Sequence, residues 1–324
     1  MIELFKVRTN DIVEIPTESI TWSGQRYKSA RKIMANILYT DKGGHQYTKV
    51  EEGDTVLFRW NEKELFRGTV FSRDRTKSGL LTLVAYDMLQ YLLLNKDIYV
   101  FENKRASEIV TRICKDFQIP YGTIVNTGVK LNEIFQNETT LYDIILKSLV
   151  NTSKESGRRF RISSDKGALH LKEVKPIENQ WVLETGVNII DYNYSTSIEE
   201  TATRVKMVSG DDKNPITVTV TDNAGKQKYG VLQHFERVTE NVNKSKLTSM
   251  AKTTLEKNKG VKKTFGIDAL GIDEVVSGMP IYVIENDLNE KGTFYVDTDT
   301  HYFKGSRHDM KLKLIEENTL PEVI

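Results

Sequence analysis

Two stretches of this 324-residue chain share one β grammar, and that repetition constrains the fold more than any other feature. Residues 53–87 read GDTVLFRWNEKELFRGTVFSRDRTKSGLLTLVAYD. Val56 to Trp60 is apolar and β-branched, and Asn61 to Glu64 makes a polar turn. Leu65 to Ser72 climbs back through Gly68, a second turn follows at Asp74 to Ser78, and Leu80 to Ala85 completes a three-stranded meander. Residues 278–316 read GMPIYVIENDLNEKGTFYVDTDTHYFKGSRHDMKLKLIE and repeat the order of glycine, strand, turn, glycine, strand, turn, strand. Gly53 and Gly68 are 15 residues apart, Gly278 and Gly292 are 14 apart, so only the second turn differs much in length. Two copies of one β-unit predict two related β-domains. In both, the second glycine is expected at a bulge or close backbone approach, so Asp at Gly68 or Gly292 should block assembly.

Length predicts two or three domains. Lys and Arg total 46 against 45 Asp and Glu, which gives no global basicity of the kind a dedicated nucleic-acid binder carries. Cys114 is the sole cysteine, which excludes an internal disulfide and a cysteine-based metal site and points to a reducing compartment. The N-terminus MIELFKVRTNDIVEI lacks the basic start and apolar core of a signal peptide. The longest strongly apolar run, Met88 to Leu94, is far too short to span a bilayer, so no membrane insertion is expected.

In chain order, Ile2 to Val7, Asp11 to Ile15 and residues 19–24 read as short strands. RKIMANILYT (31–40) fits helix or strand by periodicity; the Gly43-Gly44 turn behind it favours strand. Asp87 to Leu94 reads as a short capping helix. Ile109, Val110, Ile113, Cys114 and Phe117 form one stripe of a helix over 106–117, stopped by Pro120 and Gly122. A second helix starts at Thr140, with Asp143 completing a weak capping box. A hairpin follows at 159–163 and 168–174. Beyond Pro176, strands are predicted at 187–194, 201–208 and 216–221, then a turn at Asp222 to Gly225, a helix over 244–259 and a strand over 264–270. The fold class is therefore α+β, mainly β. The boundaries are a first β-domain over 1–99, an α+β insert over 100–176, a second β-domain over 177–316 and a loose tail over 317–324.

Asp297, Asp299, His301, His308 and Asp309 are the best candidates for chemistry. Period-2 alternation puts the first three on one strand face, and carboxylates beside imidazoles suit a metal or acid–base work. The plainer alternative is solvated positions on a strand and its turn, because the spacing matches no metal motif. His45, His170 and His234 are scattered, Ser195 and Ser209 lack a nucleophile-elbow context, and Cys114 sits on an apolar stripe. No phosphate-binding loop and no cofactor are expected. Lys244, Lys246, Lys252, Lys257, Lys259, Lys262 and Lys263, opposed only by Glu256, form a candidate basic patch. It reads either as a lining for DNA or an acidic partner or as a solvated helix face.

ITWSGQRYKSARKI (20–33), the GDTVLF to YDMLQYL run (53–92), KRASEIVTRICKDFQIPYG (104–122) and GTFYVDTDTHYFKGSRHDMKLKL (292–314) together resemble the XkdQ/YqbQ-type proteins. Those are baseplate hubs of contractile phage tails, tail-like bacteriocins and defective prophages, distantly related to late-control D proteins and to the VgrG hubs of type VI secretion. The resemblance implies two tail-tube-like β-barrel domains flanking the middle domain. It also implies a homotrimer whose six barrels adapt the hexameric tail tube to a trimeric spike. Its implied partners are the tail tube protein, a separate spike protein, other baseplate proteins and the tape-measure protein, with DNA only as passing cargo. Synthesis in the bacterial cytoplasm and assembly into the tail baseplate follow from it. A cell-wall hydrolase using the 297–301 face and a DNA-binding adaptor using the lysines are the alternatives.

Overall fold

The computed structural model describes residues 1–8, 11–39, 48–77, 79–174, 180–211, 214–238 and 241–321, with the backbone alone at 133 and 135–137. Twenty-one strands and five helices among these residues make a mainly-β α+β fold, as expected. The chain divides into two compact units: residues 1–192 with 266–324, and residues 193–265.

The first unit begins with β1 (Ile2–Val7), β2 (Ile12–Glu14), β3 (Thr17–Gln25), β4 (Lys32–Leu38), β5 (Thr55–Trp60), β6 (Lys63–Arg75) and β7 (Leu80–Tyr86). Residues 31–40 do form a strand, with Ile33, Ala35 and Ile37 alternating into the core. The Gly43-Gly44 turn lies outside the described residues. Asn61 and Glu62, both at positive φ, form the tight turn between β5 and β6. The expected turn at Asp74 starts later, because β6 continues to Arg75.

Next come α1 (Leu89–Leu94), β8 (Lys96–Arg105), α2 (Ala106–Asp116), β9 (Tyr121–Ile124), β10 (Lys130–Thr140), α3 (Leu141–Ser156), β11 (Phe160–Asp165) and β12 (Ala168–Glu173). The predicted stripe of α2 is buried at Ile109, Val110, Ile113 and Cys114. The Thr140 hydroxyl accepts the Asp143 amide at 3.1 Å and caps α3. The β8–β10 ribbon gives no alternating signal in sequence, because Ile98 and Val100 face solvent beside polar neighbours. One core gathers Ile109, Ile113, Ile144, Ile145, Leu169 and Leu171 with Tyr27 and Tyr86 from the first strands.

The second β-unit comprises β13 (Trp181–Glu184), β14 (Ile189–Ser197), and, after the second compact unit, strands that return to the sheet. Within that unit lie β15 (Arg204–Ser209), β16 (Ile216–Thr221), α4 (Asn223–Tyr229), β17 (Gln233–Val238) and α5 (Lys244–Asn258). The turn expected at Asp222 is the start of α4, the Asp222 carbonyl accepting the Lys226 amide. β15 pairs antiparallel with β16 and parallel with β17, while α5 buries Leu247, Ala251 and Leu255 against Val205, Met207 and Val218. Then follow β18 (Lys262–Leu270), β19 (Pro280–Glu285), β20 (Glu290–Lys304) and β21 (Arg307–Ile315).

The large sheet runs β14-β18-β21-β20-β3-β4-β7-β6-β5-β1-β2, with β19 beside β20 and β13 beside β19. This is an open path; the described strands close no barrel. The expected loose tail is tied down where it is described. Arg159 donates to the Asn318 carbonyl at 2.6 Å, Arg26 donates to the Asn318 side chain at 2.7 Å, and Leu320 packs on the core.

Candidate functional site

The two meanders share a set of matching backbone hydrogen bonds. Gly53 donates to the Val70 carbonyl at 2.8 Å, and Gly278 donates to the Val296 carbonyl at 2.7 Å. Val70 returns a bond to Asp54 at 2.9 Å, as Val296 does to Met279 at 3.0 Å. The long strand of each copy then bulges at the same point, between Val70 and Ser72 and between Val296 and Thr298. The match extends outward: Tyr39 donates to Gly79 at 3.0 Å, and Gly271 donates to His308 at 2.8 Å. Strand order agrees as well, β3-β4-β7-β6-β5 in one copy and β14-β18-β21-β20-β19 in the other.

This equivalence corrects the glycine pairing read from the sequence. Gly53 and Gly278 correspond, and both are left-handed, with φ of 90° and 88°. Gly68 lies opposite Val56, and the residue in the matching place, opposite Ile281, is Phe294. Gly292 instead occupies the place of Phe66. A Cβ on Gly68 would stand 2.2 Å from the Tyr86 carbonyl oxygen, whereas one on Gly292 would meet nothing within 4 Å. Close backbone approach is real at Gly68 and absent at Gly292.

The two β-units meet where β20 pairs antiparallel with β3, from Thr298 opposite Gln25 to Lys304 opposite Ser19. The candidate acidic and histidine residues lie along this seam. Asp299 and His301 are buried, not solvated, at 1% and 0% exposure. The bulge spoils the predicted alternation at Asp297, which leaves that face to sit 3.6 Å from Arg26. Asp309 is directed elsewhere, bound by Arg307 at 2.5 Å.

Arg31 grips Asp299 with two bonds, Nη1 to Oδ1 at 3.0 Å and Nη2 to Oδ2 at 2.6 Å, and its guanidinium covers Trp22 at 4.0 Å. The Ser277 amide donates to Asp299 at 2.6 Å. Burial works to raise the Asp299 pKa, but the Arg31 charge and the bonds from His301 and Arg31 outweigh it and hold the carboxyl well below its usual range. His301 Nε2 lies 3.1 Å from the Val275 carbonyl, which can only accept, so that nitrogen carries a proton. In a neutral ring Nδ1 then accepts from His308 Nε2 at 3.0 Å. Burial and the neighbouring His301 pull His308 down to about 4. Phe303 stacks on His308 at 4.1 Å and meets Phe58 and Trp60 from the first β-unit, each at 5.0 Å. Such a cluster holds strands together, with Asp299 and His301 buried and His308 half-buried. Among the described residues no group of three or more His, Cys, Asp or Glu side chains is arranged to hold a metal.

The remaining candidates are dispersed. His45 lies outside the described residues. His170 Nδ1 accepts the Thr123 amide at 3.0 Å, and His234 sits 3.5 Å from Glu236. Ser209 accepts the Val242 amide inside the core of the second compact unit, and Ser195 is exposed on β14. Burial raises the Cys114 thiol to about 11, which suppresses its reactivity. Lys244, Lys246, Lys252 and Lys257 are exposed on α5; Lys259 pairs with Glu256 at 2.5 Å, Lys262 is half-buried and donates to the Lys257 carbonyl, and Lys263 is exposed. Arg31 and Trp22, which complete the seam, escaped the sequence reading because they lie some 270 residues from their partners.

Residues 20–315 match the family model described as YQBQ-like. The chain is 48% identical to the Bacillus subtilis protein YqbQ and 47% identical to the Bacillus subtilis phage-like element PBSX protein XkdQ, in each case over 99% of both chains. Among solved structures, the 43 kDa tail protein of prophage MuSo2 from Shewanella oneidensis has the same fold, with a TM-score of 0.72 at 12% identity over 97% of this chain and 98% of that one. With nearly the whole chain matched at this identity, the protein belongs to the YqbQ-like family.

Proposed function

We propose that this chain is the baseplate hub of a contractile phage tail or tail-like particle. Three copies form a pseudo-six-fold ring that adapts a hexameric tail tube to a trimeric spike. The observation that carries this reading is the duplicated β-unit with its matching glycine bonds and bulges. A chain carrying two near-equivalent modules presents six similar surfaces from three copies, which is what a junction between six-fold and three-fold symmetry needs. In this reading residues 1–99 and 177–316 are the two tube-like β-barrel domains, 100–176 faces other baseplate proteins, and 317–324 is the terminal segment. The tube protein, the spike and the tape-measure protein are the partners, and any DNA passes through without being read.

The relative named as a phage-like element protein and the tail-protein fold agree with this role. The structural purpose of the buried seam argues against the hydrolase alternative. Electron microscopy of particles carrying a tagged copy tests the placement: label is expected at the tube–spike junction, and label elsewhere overturns it.

A further inference from the structure

The compact unit over residues 193–265 carries a charge that the whole-chain balance conceals. It holds 13 Lys and Arg against 8 Asp and Glu, a net +5 in a chain whose total is +1. The remainder of the chain is therefore acidic, and the excess of cations is gathered here. Part of it lies on α5 as exposed lysines. Another part is organised on the sheet. α5 covers one face of β16-β15-β17, where Val205, Met207 and Val218 point. The strand register builds the opposite face. Lys206 lies between Thr219 and Phe235, Arg204 between Thr221 and Gln233, and Val208 between Thr217 and Arg237.

Residues paired across strands point to the same side of a sheet, so these positions form one grid. None of the strand positions in it is Asp or Glu. Phe235 is 55% exposed, and Thr217 and Thr219 are exposed beside it. A single exposed Phe is ordinary; this one stands next to two cations without counter-charges. Arg204 and Lys206 are half-buried, and among the described residues neither has an ion-pair partner. Arg204 Nε is buried with no acceptor, a cost that a ligand oxygen would remove. Arg237 closes the end of the grid and donates to the Gly210 carbonyl at 3.4 Å.

We propose that this face binds an extended acidic segment of another protein, with carboxylates on Arg204 and Lys206 and one apolar side chain on Phe235. Charge complementarity selects the sign of the partner. Spacing selects its form. Arg204 and Lys206 are two residues apart on β15, about 6.6 Å along the strand, which is also the interval between same-side residues of an extended chain. The threonine hydroxyls of β16 supply further donors to the carboxylate oxygens. Nucleic acid fits this face less well. Sheets that read single strands stack two or three bases on aromatic rings, and Phe235 is the only ring among these strand positions. The face belongs to one chain, so its failure to bind would leave the hub reading standing.

Fluorescence anisotropy tests this with the purified full chain and a labelled peptide of alternating Glu and Val at physiological salt. The parent is expected to bind, and Arg204→Glu combined with Lys206→Glu to weaken binding at least about tenfold. Thr219→Glu changes an exposed residue and keeps both cations, so it should weaken binding as well, even where the double variant fails to fold by thermal melting. Phe235→Ser should weaken it without any change of charge. Lys244→Glu combined with Lys252→Glu on α5 makes the same charge change away from the face and should leave binding within about twofold. Equal loss from the two double variants, or no binding by the parent, overturns the site. An oligothymidine of the same length that binds more tightly than the peptide, and is lost in the same face variants, overturns the choice of a protein partner.

Discussion

Arg31 closes a two-bond grip on Asp299 across the line where β3 meets β20, 268 residues away in sequence. The Asp299 carboxylate is fully buried and Arg31 largely so, and the Ser277 amide also donates to the carboxylate. The pair therefore behaves unlike the exposed Arg158–Glu173 pair, although both are short at 2.6 and 2.7 Å.

Removing one partner should leave an uncompensated buried charge. Asp299→Ala or Arg31→Ala is expected to cost about 3–5 kcal/mol, against about 0–1 kcal/mol for Glu173→Ala. Chemical denaturation of the three variants measures this. Equal losses at buried and exposed pairs would show that the seam pair contributes no more than a surface bridge.

The glycines should sort by geometry and not by their place in the sequence pattern. Gly53→Ala and Gly278→Ala force an L side chain into the left-handed region and should each cost about 1–2 kcal/mol. Gly68→Ala should cost more, because its Cβ meets a backbone oxygen that cannot swing away. Gly292→Ala should lie within about 1 kcal/mol of the parent, and Gly292→Asp should leave particle yield unchanged. Thermal melts and particle counts check all four positions.

Asp87 gives the fold an acid-side bias. It is buried beside the start of α1, where it accepts the Leu89 amide at 3.0 Å, and burial raises its pKa from 3.8 to about 7. The native state then holds a proton that the unfolded chain has released, so this contribution is full below about pH 4 and is lost as pH rises to about 7. Its size is on the order of a few kcal/mol. Asp87→Asn should abolish that part of the slope in denaturation midpoints measured from pH 4 to pH 8.

His308 works in the opposite sense. Its pKa falls from 6.5 to about 4, so the unfolded chain binds the proton first, and stability is lost as pH falls from about 6.5 toward 4. His308→Gln keeps a donor for His301 and should remove this loss. The two slopes oppose each other between about pH 4 and pH 6.5. Asp87→Asn is thus expected to be more acid-sensitive than the parent, and His308→Gln less so; the reverse order would reject both assignments.

Peptidoglycan incubated with the purified chain should release no soluble fragments, because Asp299 and His301 are closed off by Trp22, Arg31 and the strand pairing. Release that disappears in Asp299→Ala would restore the hydrolase reading.

Local chemistry fixed the elements. Alternating Ile33, Ala35 and Ile37, the Ile109 to Cys114 stripe, the Thr140 cap and the turn at Asn61 each act over a few residues, so one chain of letters suffices to find them. Even the repeat was legible, since both copies need the same strand and turn order. Its register was not: glycine at 292 looked like glycine at 68, and only hydrogen-bond partners distinguished them. Strand β8 left no alternating pattern because its apolar Ile98 and Val100 face solvent beside polar neighbours. The burial of Asp299 and His301 was beyond sequence as well, because polar letters on a strand signal solvent until a distant Arg31 and Trp22 supply charge, hydrogen bonds and cover. The sequence by itself determined what recurs and where the strands lie, through short-range sterics and periodicity. Tertiary structure alone decided which edges met within the chain, because that depends on long-range pairing and desolvation.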